Sequence, residues 1–190
     1  MALTLASPPS VEPVSLAEAK AHCRVEHDED DTLISALIPA AREHVEAVTK
    51  RVLITQEWTW KLDAFPCQFN MPKPPLQSVE SITYVDSAGN TQTLDAAEYR
   101  VDNDCEPGRI TEAYDASWPT TRLVTNAVTV AFTAGYGQAG TDVPQPIRQA
   151  ILLLIGHWYE NRESVAVGVS VAELPQAVEA LLSPYRMVYF

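Results

Sequence analysis

Gly135-Tyr136-Gly137-Gln138-Ala139-Gly140 has the G-x-G-x-x-G spacing of a dinucleotide-binding turn, behind an alternating apolar run and ahead of a helical pattern. That chemistry needs a helix to begin on the turn, so that its free N–H groups and dipole meet a pyrophosphate. Here Thr141, Asp142, Val143 and Pro144 separate the last glycine from the helical pattern. The fingerprint also needs a second parallel strand ending in an acidic ribose ligand. Glu160 and Glu163 stand at about that distance but still belong to the helical stretch, and no strand pattern follows. The glycines read as a hinge by which the chain leaves a β edge through positive φ values. No nucleotide cofactor is expected.

Other reactive residue types fall into equally plain patterns. Cys23 and His27 are four apart beside His22, but no third and fourth ligand stand close in sequence, so no metal is expected. His44 and His157 are single histidines in helical stretches. The run Asp28-Glu29-Asp30-Asp31 lacks the spacing and central glycine of a calcium loop. Ahead of a helix it faces the positive end of the dipole, which is a structural use of carboxylates. Neither a G-x-S-x-G elbow nor a phosphate-binding P-loop occurs, so no catalytic residue is named. Trp58, Trp60 and Trp118 are expected in a core or an interface, with a stacking platform as the rarer use of such residues.

The closing stretch Pro184-Tyr185-Arg186-Met187-Val188-Tyr189-Phe190 is less ordinary, because chain termini are usually polar and frayed. An apolar end left in water is a sticky patch. Tyr185, Met187, Val188, Tyr189 and Phe190 are therefore candidate anchors for docking on a partner, with folding back onto the chain's own core as the competing use.

The elements that must carry these residues follow from periodicity. Residues 1–13, with Pro8, Pro9 and Pro13, read as an extended arm. Ser15 and Glu18 form a capping box for a short helix to about Val25. Leu33, Ile34, Leu37, Ile38, Ala41, Val45 and Val48 mark a second helix through about Arg51, with Pro39 expected to kink it. From Ile54 the period becomes two, with Trp58, Trp60 and Leu62 on one side. About five or six short strands are expected through residue 134, including a turn at Gly89-Asn90 and a last strand with Val128, Val130 and Phe132 inward. Helical spacing returns after Pro146. Ile151, Leu154, Ile155, Trp158 and Tyr159 belong to a helix so apolar all round that more than one face must be covered, by neighbouring helices or by another subunit, and they are candidates for packing between subunits. Residues 165–173 read as a loop, and Val178, Leu181 and Leu182 mark a final helix.

These elements describe an α+β chain. A small helical bundle, from residues 14–53 and 136–190, carries an inserted antiparallel β segment at 54–135 and an N-terminal arm at 1–13. Its 190 residues can bury roughly 70% of the unfolded surface without staples. The formal charge of -12 disfavours a groove that grips DNA or an anionic membrane. Three cysteines without a C-x-x-C fit a reducing compartment. No basic stretch precedes an apolar core at the N-terminus, so no secretory leader is expected. The longest apolar run, near Ala150 to Gly156, is far too short to span a membrane.

The sequence resembles the head–tail connector (adaptor, or head-completion) proteins of long-tailed double-stranded DNA phages and phage-like gene transfer particles. The likeness covers nearly the whole chain. It rests on "SLAEAKAHCRV", "DEDDTLISALI", "PPLQSVESITYVDSAGNTQTLDAAEYRVD", "VTVAFTAGYG", "VPQPIRQAILLLIGHWYENRE" and "LPQAVEALLSPYR" in this order. Two positions depart from the family pattern. Lys50 stands where a helix-ending Gly is common, and Pro39 is not usual inside the second helix.

The resemblance implies a structural protein of the virion neck, assembled in the host cytoplasm, with no catalytic residues and no cofactor. Such proteins form a homo-oligomeric, commonly dodecameric, ring beneath the portal protein. The ring extends the DNA channel and presents a surface to the next tail-proximal protein, a stopper or tail terminator. A second small neck ring, such as a tail-completion protein, is the alternative. A ligand-binding β module is a more distant one. An acidic ring lets the genome slide without specific binding. Some acidic residues, in the β segment or the 28–31 run, are expected to line the lumen.

Overall fold

The computed structural model describes residues 1–161 and 176–187. The chain divides into two compact units, one formed by Met1–Pro9 with Thr55–Tyr136, the other by Ser10–Ile54 with Gly137 onward. The expected loop at 165–173 and residues 188–190 lie outside the described residues.

The helical unit is built from α1 (Leu16–Cys23), α2 (Asp31–Thr49), α3 (Gln145–Glu160) and α4 (Gln176–Leu182). Helix α1 starts on the expected capping box. The Ser15 hydroxyl accepts from the Glu18 N–H at 3.2 Å, and the Ser15 N–H donates to the Glu18 carboxylate at 2.8 Å. It ends two residues earlier than expected, where Arg24 turns left-handed at φ 56°. Helix α2 buries Ile34, Ile38, Ala41 and Val45 on the face the spacing marks. It runs unbroken through Pro39, which removes one N–H from the ladder without ending the helix. Lys50 then ends it at φ 61°, taking the left-handed position that a glycine would hold without strain.

Helix α3 is the centre of this unit, packing on α1, α2 and α4. Ile147, Ile151, Leu154 and Ile155 have no exposed surface, and each such side chain contributes about 1.5–3 kcal/mol by leaving water. Beside this apolar core lies a buried ion network. The Arg42 guanidinium donates to Glu12 at 2.9 Å and to Glu46 at 3.0 Å, and Glu46 also accepts the Leu53 N–H at 3.0 Å. Carboxylates on both sides satisfy the buried cation, so the paired Arg42 and Glu46 of α2 hold the segments entering and leaving the helix pair.

The β unit holds two sheets. The larger has the order β1 (Ala2–Ser7), β2 (Gln56–Leu62), β8 (Val128–Ala134), β4 (Leu76–Val85) and β5 (Thr91–Thr93), every neighbour antiparallel. The smaller joins β3 (Phe69–Asn70), β7 (Arg109–Glu112) and β6 (Tyr99–Asp102). Part of the proline-rich arm is thus an edge strand. Its ladder runs Leu3 opposite Trp60 and Leu5 opposite Trp58.

Cross-strand register sorts the side chains. Leu3, Trp60, Val130 and Ile82 lie in one row, and Leu62, Val128 and Tyr84 in another on the same face. The opposite face carries Thr4, Thr59 and Ala131 in one row and Thr129, Thr83 and Thr93 in another. A period of two therefore yields one apolar face and one polar face, on which Lys61 and Glu57 join the threonines. The expected turn at Gly89-Asn90 joins β4 to β5, with Gly89 at φ 95°.

Candidate assembly surfaces and the glycine turn

The glycine turn is occupied by its own chain. Gly135 closes β8 at φ 132°, and its N–H donates to the Pro75 carbonyl at 2.9 Å. Beyond it, the Asp142 carboxylate folds back and accepts the Ala139 N–H at 2.9 Å. A Cβ built on Gly137 would collide with that same carboxylate. Gly140 lies where a Cβ would come 2.7 Å from the Pro13 carbonyl oxygen. Thus two glycines permit close packing, one against a carboxylate and one against backbone. A carboxylate fills the concavity a phosphate would need, and like charge excludes a second anion. Helix α3 begins later, at Gln145, with Pro144 as its cap residue.

His22 and Cys23 sit on α1 beside Gly156, His157, Tyr159 and Glu160 of α3, lining an open depression of about 510 Å³. Burial, and then the nearby Glu160 charge, push the Cys23 thiol above its ordinary value. A thiol held protonated is a poor metal ligand and a poor nucleophile. His27 lies past the left-handed Arg24 and is exposed.

The acidic run is put to structural use. Lys20 of α1 bridges Asp28 at 2.7 Å and Asp31 at 2.6 Å. The hydrogen bond from Lys20 holds the Asp28 carboxyl below its ordinary range, and acceptance by Asp28 and Asp31 raises the Lys20 ammonium. Asp30 accepts the Tyr159 hydroxyl at 2.5 Å, tying the start of α2 to α3.

The tryptophans form packing rather than a platform. Phe65 and Trp118 are stacked with centroids 5.1 Å apart, and Phe69 meets both Trp60 and Trp118 edge-on. The Lys73 ammonium covers Trp58, 4.8 Å from the ring centre. Each indole thus has a neighbour on the face or edge that a ligand would use.

The chain end is fixed as far as Met187. Its N–H donates to the Thr49 carbonyl at 3.0 Å. The Arg51 guanidinium donates to the Tyr185 carbonyl at 2.7 Å and reaches the Met187 sulfur at 3.6 Å. Tyr185 and Met187 are half-buried at the end of α2, whereas the other candidate anchors, Val188, Tyr189 and Phe190, lie outside the described residues.

Of the α3 residues expected between subunits, Ile151, Leu154 and Ile155 are fully covered within the chain itself. Helix α3 packs on three other helices of the chain, the first of the two covers its composition allows. Trp158 is half-buried, edge-on to His44 with centroids 6.0 Å apart, and Tyr159 is engaged with Asp30. The half-exposed remainder of the helix includes Leu152, Leu153 and His157.

The sequence reading missed the open edge of β1 and the exposed loop residues Tyr114 and Leu123, which are 85% and 97% exposed. An uncharged alternation in Ala2–Ser7 was the available signal for the first.

Comparison with known proteins matches residues 13–188 to the model of the family described as "HCP: Head completion protein". No individually curated protein matches the chain. Among solved structures, a chain of the neck of an empty GTA particle, computed with C6 symmetry, is similar over 100% of this chain and 97% of its own, with 27% identity and a TM-score of 0.82. A chain of the virion of a native gene transfer agent (GTA) particle covers the same shares with 25% identity and a TM-score of 0.82. A chain of the neck of a native GTA particle, computed with C12 symmetry, covers the same shares with 28% identity and a TM-score of 0.76. The chain belongs to the head completion protein family.

Proposed function

We propose that this member of the head completion family is a structural protein of the virion neck, whose copies form a ring between portal and tail. The ring extends the DNA channel and bridges head to tail. The observation that carries this reading is likeness along the entire chain to chains from GTA particles, two of them from necks computed with cyclic symmetry.

Three features of the chain support it. The glycine turn is filled by Asp142, and the indoles are packed, so the sites that suggested small-molecule chemistry serve the fold. The net charge of -12, repeated around a pore, repels DNA phosphate and lets the genome slide past. The chain is held at Thr49 and Arg51 through Met187 and Tyr185, directly ahead of the apolar residues Val188, Tyr189 and Phe190 in sequence. Tyr185, Met187, Val188, Tyr189 and Phe190 then serve as anchors on the portal or an adjacent copy. Contact between copies through α3 falls to its half-exposed side, with Trp158 and Tyr159 at the margin. A stopper or tail terminator takes the tail-proximal face.

The test is removal of this chain from particle assembly. Heads are expected to fill but to remain unjoined to tails, and electron microscopy of complemented particles is expected to show a ring of this chain below the portal. Normal joined particles without the chain would overturn the proposal.

A further inference from the structure

The filled glycine turn helps to wall a groove. In the helical unit, residues 11–16 and 139–141 line an open cleft of about 550 Å³ together with Ile38 and Arg148. Val14 and Ile38 are its buried apolar floor, and Val11 stands exposed at its wall. The walls are fixed. Gly140 packs against the Pro13 carbonyl, and the Arg148 guanidinium donates to that same oxygen at 3.0 Å. Glu12 and Glu18 also line the cleft, with side chains 31% and 45% exposed, so each carboxylate keeps a side open to water beyond its own arginine partner.

A projection of matching chemistry stands in the β unit. Leu123 is the apex of a three-residue turn, closed by the Val124 N–H donating to the Arg122 carbonyl at 2.9 Å. The turn is pinned on both sides. The Arg122 N–H donates to the Val85 carbonyl at 3.0 Å, and the Asn126 N–H donates to the Asp63 carboxylate at 2.8 Å. Single exposed leucines are common on protein surfaces. This one is held out on a fixed turn, with Val124 exposed beside it. Arg122 is exposed as well and forms no ion pair among the described residues, in a chain of net charge -12.

We propose that the Leu123 turn of one copy docks in the groove over Val14 and Ile38 of a second copy. The contact rests on the ring reading above. Leu123 and Val124 meet the apolar floor, and the unpaired Arg122 guanidinium meets the Glu12 and Glu18 carboxylates at the rim, which is complementary in both polarity and charge. Projection and groove are different surfaces, one in each unit of the chain. A contact between unlike surfaces joins copies head to tail, and such contacts close into a ring when the rotation permits. A patch that met its own duplicate would stop at a dimer. The same contact then recurs at every junction between copies.

The experiment complements particles lacking the native chain with wild type, with Leu123→Asp, with Leu123→Cys plus Val11→Cys, and with each of those two cysteine substitutions alone. Leu123 and Val11 are exposed, so every version is expected to fold, which circular dichroism and thermal melting of the free chains establish first. Electron micrographs are expected to show rings with wild type and their loss with Leu123→Asp, which brings a carboxylate to a groove already edged by two. After mild oxidation, non-reducing gels of ring-bearing particles are expected to show a ladder of linked copies from the double-cysteine chain and from neither single one. Rings built equally well by Leu123→Asp, or ring-bearing particles whose double-cysteine chain gives no ladder beyond the single ones, overturn the contact. Wild-type particles without a ring of this chain overturn the ring reading itself, and the contact with it.

Discussion

The Asp142 carboxylate lies against the Cα of Gly137, where a side chain has no room, while it accepts the Ala139 N–H at 2.9 Å. A Gly137→Ala substitution must displace that carboxylate and break its bond. It is expected to destabilise the chain by about 1–3 kcal/mol, the usual cost of overpacking. Denaturant unfolding measures this. Adding Asp142→Ala is expected to recover part of the loss, because the clash goes with the carboxylate.

Lys50 supplies the opposite case. A lysine held at φ 61° bears a strain that glycine does not. Lys50→Gly is expected to stabilise the chain by about 1 kcal/mol, seen as a raised thermal midpoint. An unchanged or lowered midpoint would show that the strain is relieved by contacts of the lysine itself.

Glu18 predicts a pH dependence. Bonds from Ser15, first its backbone N–H, hold the Glu18 carboxyl below its ordinary value, and Arg148 adds to them. A carboxyl lowered on folding stabilises the native state above its unfolded pKa, and this contribution is lost as pH falls through the folded value. The stability gap between wild type and Glu18→Gln is therefore expected to be constant near neutrality and to vanish below the usual carboxylate range. Paired urea titrations across that range measure it. Ser15→Ala is expected to cost about 1 kcal/mol through the lost cap.

Deleting residues 184–190 removes the bonds to Thr49 and Arg51 together with the apolar end. Loss of these few hydrogen bonds is expected to cost about 1–3 kcal/mol and leave a folded chain. Particles made with it are expected to contain filled heads free of tails. Normal joining by the truncated chain would remove the tail as an anchor.

Much of the fold was legible because it depends on local rules. The Ser15–Glu18 box, the inward row of Val128, Val130 and Phe132, and the Gly89-Asn90 turn each follow from a few adjacent residues. Features that depend on distant segments were not. Nothing near Ala2–Ser7 announces that β2 will pair with it, and the all-round apolar pattern of α3 calls for cover without saying whether other helices or another subunit supply it. Pro39 removes one N–H from α2 without ending the helix, which its neighbours continue to Thr49. Of the three glycines expected to leave the β edge through positive φ, Gly135 alone takes one, at φ 132°, while Gly137 and Gly140 make room for Asp142 and for the Pro13 carbonyl, partners that lie outside the motif.

The two compact units are each assembled from separated stretches of chain, and the helical one draws on residues both before 55 and after 136. During synthesis α1 and α2 emerge well before α3, and the apolar surface that α3 covers waits through residues 50–144 until that helix arrives. A product cut short in that interval has strands to fold yet lacks its central helix. Incomplete copies are expected to present that uncovered apolar surface to chaperones and proteases.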